Sequence, residues 1–127
     1  MESNNKKIKT FTDLDAWKEG HKPVLMVYKD TDKFPKEEKF GLTQQLRRAV
    51  VSVTSNIAEG FSRRSNKEKA RFYFISKGSL TEAQNQLFIA RDLAYLKVSD
   101  FEKIVDLANL VGKLVSGLIK SAGKLNF

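Results

Sequence analysis

Arg63, Arg64, Lys67, Lys69 and Arg71 put five cations within nine positions, and a single acid, Glu68, lies among them. Positive groups crowded this closely repel one another and favour an anionic partner. Phosphate suits them because a guanidinium fork can meet it in two bonds at once. Phosphate contact is therefore the chemistry this run suggests, set against the plainer alternative of a solvated loop. Arg47 is a sixth candidate contact, one segment upstream. Phe61, Phe72 and Tyr73 bracket the run, but Phe61 and Phe72 fall in phase with apolar helix faces, so base stacking is the weaker reading.

A second constellation precedes it. At about 100° per residue, Gln45, Arg48, Ser52, Asn56 and Glu59 occupy an arc of about 80° directly beside the apolar arc of the same segment. Three uses compete for such a stripe: a hydrogen-bonded network between helices, a catalytic or metal constellation, or half of a subunit interface. With a turn near residues 62–65, antiparallel partners have numbers summing to about 127, which sets Arg48 near Ser79 and Glu82 and Glu59 near Arg71. Opposite charges meet in that register, so Arg48, Asn56, Glu59, Ser79 and Glu82 read as a structural polar network.

Other chemistry finds little support. Carboxylate-bridged metal bundles need Glu-x-x-His pairs, and the sole histidine, His21, has Lys18 three residues earlier. Cysteine is absent, which excludes thiolate ligands, a thiol nucleophile and disulfides. "EGFSRRS" has one glycine and the wrong order for a phosphate-binding loop. The expectation is a protein without enzymatic activity, cofactor or metal.

These residues must be positioned by helices, because apolar residues recur at steps of three and four throughout. A first helix follows Thr12, with Asp15 as its capping-box acid, and sets Leu14, Trp17, His21, Val24, Tyr28 and Thr31 on one face. Pro23 interrupts it without breaking the phase, which favours one kinked helix over two short ones. A second runs from about Glu37 to Gly60, with Leu42, Leu46, Ala49, Val50, Val53, Ile57 and Phe61 inward and Gly60 as a left-handed stop. A third starts after Ser65, with Glu68 returning the cap, and carries Phe72, Ile75, Ser79, Leu80, Ala83, Leu87, Ala90 and Ala94. A fourth opens on the box Ser99 to Glu102, with Phe101, Ile104, Val105, Ala108, Val111, Val115 and Leu118 inward. Short links make neighbours antiparallel, so the expected fold is an all-α, up-down-up-down four-helix bundle.

The 127 residues suit one domain over 11–127, preceded by a mobile basic tail over 1–10. Lys and Arg number 23 against 15 Asp and Glu, a formal charge of +8 that favours polyanions. The start carries no apolar run of a secretory signal and no stretch is long enough to span a bilayer, so a cytoplasmic protein without membrane partners is expected. Val51, Ala58 and Phe74 lie off the main apolar arcs and are candidate interface residues for self-association, the alternative being scattered surface hydrophobes.

"FPKEEKFGLTQQLRRAVVSVTSNIAEGFSRRSNKEKARF" and "GSLTEAQNQLFIARDLAYL" resemble the four-helix-bundle family of proteins encoded in intervening sequences of 23S ribosomal RNA genes. The most specific parts are Phe34-Pro35, Gly41-Leu42, Arg47-Arg48-Ala49, Asn56-Ile57-Ala58-Glu59-Gly60 and Gly78-Ser79-Leu80 with Glu82. Pro23 and Thr54 depart from the family pattern. The resemblance implies a bundle that assembles into a homopentamer. It extends to accessory proteins of diversity-generating retroelements, which bind RNA and a reverse transcriptase through a basic surface. The leading expectation is a homo-oligomeric RNA-binding accessory factor; the alternative is a protein-interaction scaffold for a nucleic-acid enzyme.

Overall fold

The computed structural model describes residues 7–124, and the first six residues of the expected tail lie outside that range. Four helices make up the body: α1 Asp15–Thr31, α2 Leu42–Ser62, α3 Asn66–Asp92 and α4 Val98–Lys124. Short 3-10 turns at Phe11–Asp13 and Lys36–Glu38 lead into α1 and α2. Each helix packs on its neighbours in sequence, and α1 closes the ring on α4. Cross-helix pairs descend on one strand of the fold as they ascend on the other: Ser52 with Ser79 and Gly60 with Tyr73 between α2 and α3, Lys77 with Ser116 and Gln84 with Asn109 between α3 and α4. With Thr31 beside Arg47 and Gly20 beside Thr54 between α1 and α2, neighbours in sequence are antiparallel throughout.

Its core is two apolar clusters stacked along the bundle axis, each drawn from all four helices. One gathers Val27, Val50, Leu87 and Ile104 with Phe34 and Leu96 from the α1–α2 and α3–α4 connections. The other gathers Ala16, Val53, Ile57, Tyr73, Val111 and Val115 toward the α2–α3 turn. The expected inner faces of α2 and α4 hold. Leu46, Ala49, Val50, Val53 and Ile57 are buried on α2, and Phe101, Ile104, Ala108, Val111 and Val115 on α4.

The inner faces of α1 and α3 differ from expectation, for two reasons. On α1 the buried stripe is Ala16, Gly20, Pro23, Val27 and Thr31, one step round from Trp17, His21, Val24 and Tyr28. Small residues let the backbone come close: a Cβ on Gly20 would stand 3.1 Å from the Thr54 methyl and 3.6 Å from Val111. Thr54 itself is buried, with its hydroxyl donating to the Val51 carbonyl at 3.2 Å. On α3 the buried residues near the turn are Tyr73 and Ser76, while Phe72 is half-buried and Ile75 exposed. Ser76 is tolerated in the core because its hydroxyl donates to the Val53 carbonyl at 2.7 Å.

Caps also move. The acid that holds the entry to α1 is Asp13 rather than Asp15; its carboxylate accepts from the Lys9 and Thr10 amides at 2.9 and 3.0 Å, which ties down residues 9 and 10. Ser99 lies inside α4, not before it. α1 is continuous through the buried Pro23. α3 ends in a Schellman arrangement, with the Tyr95 amide on the Ala90 carbonyl, the Ala94 amide on that of Arg91, and Ala94 left-handed at φ 62°.

Candidate nucleic-acid interface

The basic run forms the tip of the α2–α3 hairpin, and two small features set its shape. Gly60 is interior to α2 and not left-handed; it is there because α3 crosses closely. A Cβ at this position would lie 2.6 Å from Tyr73 Cε1 and 3.2 Å from the Lys69 carbonyl oxygen. Burial against this glycine pushes the Tyr73 phenol above its ordinary value of 10.0. α2 therefore continues to Ser62 and stops at Arg63, which turns extended at φ −75° and ψ 150°. Ser65 then caps α3, its hydroxyl accepting from the Glu68 amide at 3.1 Å.

The five cations of the tip are not equivalent. Lys69 donates to the Phe61 carbonyl at 2.7 Å, satisfying one of the unpaired carbonyls at the end of α2, and its ammonium lies 5.3 Å from the Phe61 ring centre. Arg63 pairs with Glu59 at 2.7 Å and Arg71 with Glu68 at 3.5 Å, all four side chains being well exposed. Both guanidinium groups also stand over one ring: the Arg63 and Arg71 carbons are 4.7 and 4.9 Å from the Phe72 centroid. Arg64 and Lys67 are exposed and have no partner among the described residues. Among the described residues, Glu59 and Glu68 are the only carboxylates joined to the cluster by ion pairs, so positive charge remains in excess.

Arg47 stands apart from this tip. Its Nε donates to the Thr31 hydroxyl at 2.9 Å, and its Nη2 reaches the Tyr28 carbonyl and Asp32 carboxylate, both at 3.3 Å. The guanidinium also covers the Tyr28 ring at 4.6 Å. Arg47 thus straps α2 to the C-terminal end of α1.

The polar stripe is partly assembled. Ser52 and Ser79 share a hydroxyl bond of 2.8 Å across α2 and α3, and the Asn56 amide donates to the Ser52 carbonyl at 2.8 Å and hydroxyl at 3.1 Å. Arg48 and Glu82 line one groove with Gln45, Ala49 and Ser52 but form no ion pair with each other. Glu59 meets Arg63 and not Arg71, which corrects the pairing expected from the sequence. Arg63 wins because it stands four residues on along the same chain segment, and the register differs as well: the Ser52–Ser79 and Gly60–Tyr73 pairs sit about one helical turn beyond the expected alignment, which places Ser79 opposite Ser52 in place of Arg48. Among the candidate interface residues, Val51 and Phe74 are exposed, Phe74 at 60%, while Ala58 is half-buried. Ser76 and the sharing of the Phe72 ring by Arg63 and Arg71 escaped the sequence reading, because a lone buried serine carries no periodic signal and the ring contact of Arg63 forms only once the tip folds back.

A four-helix bundle with a cationic hairpin tip is the class that fold and site define. The family description "23S rRNA-intervening sequence protein" matches residues 12–117, and the chain belongs to that family. Among solved structures it is similar to a protein of unknown function from the S23 ribosomal protein family of Bacteroides thetaiotaomicron, solved at 1.70 Å. That likeness has a TM-score of 0.74 at 18% identity and covers 83% of this chain and 98% of that one. A search among curated proteins finds no match.

Proposed function

We propose that this protein is a non-enzymatic, self-associating accessory factor that binds RNA through the α2–α3 tip. The observation that carries the reading is the excess of cations there, of which two are offset by exposed ion pairs. Such pairs contribute about 0–1 kcal/mol, too little to cancel the attraction of the cluster for phosphate. Arg63, Arg64, Lys67 and Arg71 are the contacts; Lys69 supports the turn, and Arg47 serves the bundle. In filter binding across a salt series, log affinity should fall against log salt by about 0.7 per phosphate contact for single strands and about 0.9 for duplex DNA. Replacing Arg63 and Arg64 by Glu should abolish binding. Lack of salt-sensitive binding to any single-stranded or folded RNA at low ionic strength would remove the proposal.

The self-association proposed here is supported by the outer side of α3, where Phe74, Ile75 and Ile89 are 60%, 42% and 41% exposed. Together with Val51 these offer apolar surface that a monomer leaves in water. The same surface supports the second reading, a scaffold that docks a nucleic-acid enzyme such as a reverse transcriptase. Light scattering separates the two: Phe74→Glu should dissociate a homo-oligomer, whereas a scaffold for a different protein keeps its mass and loses only the partner.

A further inference from the structure

From the ring contacts at the hairpin tip we infer how the proposed RNA site reads its ligand: it grips consecutive backbone phosphates and takes no base on its aromatic rings. This rests on the RNA-binding reading above and goes beyond it. The rings that a base would need are already taken. Phe72 has the Arg63 and Arg71 guanidinium groups over it at 4.7 and 4.9 Å, Phe61 has Lys69 at 5.3 Å, and Tyr73 is buried against Gly60. Phe74 is exposed, but two residues along a helix turn a side chain by about 200°, so it faces away from Phe72.

Phe72 thereby acts as a positioning residue. Sharing one ring holds the Arg63 and Arg71 carbons no farther apart than the sum of their ring distances, roughly 10 Å. A duplex strand carries a phosphate about every 3.4 Å of its axis, so forks within this limit meet phosphates no more than about three steps apart. Glu59 holds Arg63 through Nη2, and Glu68 holds Arg71 through Nε, which leaves further N–H groups on each fork to donate outward. The two acids and the ring preset both forks, so fewer rotamers are lost when a backbone is bound.

The test compares a uridine oligonucleotide with an abasic oligonucleotide of equal length, across a salt series, using full-length protein. A backbone reader binds both within about twofold, whereas stacking is worth about 1–3 kcal/mol per base and would favour the uridine strand at least several-fold. Phe72→Leu leaves the charge unchanged and should weaken both strands about threefold to tenfold, with Phe72→Tyr restoring them. A clear preference for the uridine strand, or Phe72→Leu binding like the parent with an unaltered melting curve, overturns this inference and leaves RNA binding standing. Failure of the parent protein to bind either strand overturns both. The abasic comparison needs no variant, so it decides even if Phe72→Leu folds poorly.

Discussion

The two ends of the bundle use the same groups to opposite ends. At the connection end, Arg47 lies over Tyr28, reaches an acid at Asp32, and spends its remaining donors on Thr31 and the Tyr28 carbonyl. At the hairpin tip, Arg63 lies over Phe72 and reaches an acid at Glu59, and its guanidinium makes no further hydrogen bond among the described residues. Exposure follows: the Arg47 side chain is 28% accessible and that of Arg63 42%. Glu38 extends the contrast, capping α2 through the Leu42 amide at 3.1 Å while accepting the Tyr95 hydroxyl at 3.1 Å. The lesson is that a cation, a ring and a carboxylate do not define a binding site; what matters is whether the cation's other donors are already engaged.

The comparison breaks most readily at Gly60. Alanine gains about 1 kcal/mol of helix propensity, but its methyl would overlap a buried ring and a backbone carbonyl that cannot both retreat. Gly60→Ala should lower unfolding free energy by about 2 kcal/mol, measured by urea titration. Gly78→Ala, with nothing within 4 Å of the added carbon, should raise it by about 0.5–1 kcal/mol. If both glycines respond alike, close crossing does not shape the tip.

Arginine substitutions sharpen the contrast directly. Arg47→Ala removes bonds from a charged donor to Thr31, which is buried, and should cost about 1–2 kcal/mol of stability while RNA affinity stays near the parent value. Arg63→Ala should change stability by less than about 0.5 kcal/mol and reduce RNA affinity. Paired denaturation and filter-binding measurements on the two variants check this; an exchange of the two outcomes would mean the ends had been assigned the wrong way round.

Smaller effects belong to the connection end. Ala94 sits at φ 62°, where a Cβ costs about 1–2 kcal/mol, and glycine's greater freedom in the unfolded chain returns part of that. Ala94→Gly should therefore stabilise the fold by about 0.5–1 kcal/mol in the same titration. Burial, and then the nearby Asp100, raise the Asp30 carboxyl above 3.8, partly offset by Lys29, Lys33 and Lys103. A raised acid favours the folded state below its ordinary value, and that contribution is lost as pH climbs through the raised one. Asp30→Asn should accordingly stabilise at neutral pH and flatten the stability profile in the acid range just above 3.8.

Helix number, order and antiparallel pairing were legible in the sequence because α2 and α4 carry long aliphatic periodicities such as Leu46-Val50-Val53-Ile57 and Ile104-Ala108-Val111-Val115. The Ser65 cap was legible for the same local reason. The inner face of α1 was not, since counting bulk overlooks Ala16, Gly20 and Pro23, whose value lies in what they omit. Nor was the α2–α3 register, because turn length alone leaves one helical turn undetermined and Gly60 reads equally as a stop or as a crossing point. At the tip, the composition of the cluster was plain, but the contacts that cross the turn, Lys69 on the Phe61 carbonyl and Arg63 on the Phe72 ring, depend on how the two helices meet there.

The stacking of the two apolar clusters bears on how the molecule breathes. Because each cluster borrows from every helix, with Val50 in one and Val53 in the other, the weak seam runs across the bundle and not between hairpins. Slow amide exchange should therefore change rate partway along α2, α3 and α4, near residues 50–53, 80–83 and 104–108, and the half nearer the hairpin can open while its companion remains shut.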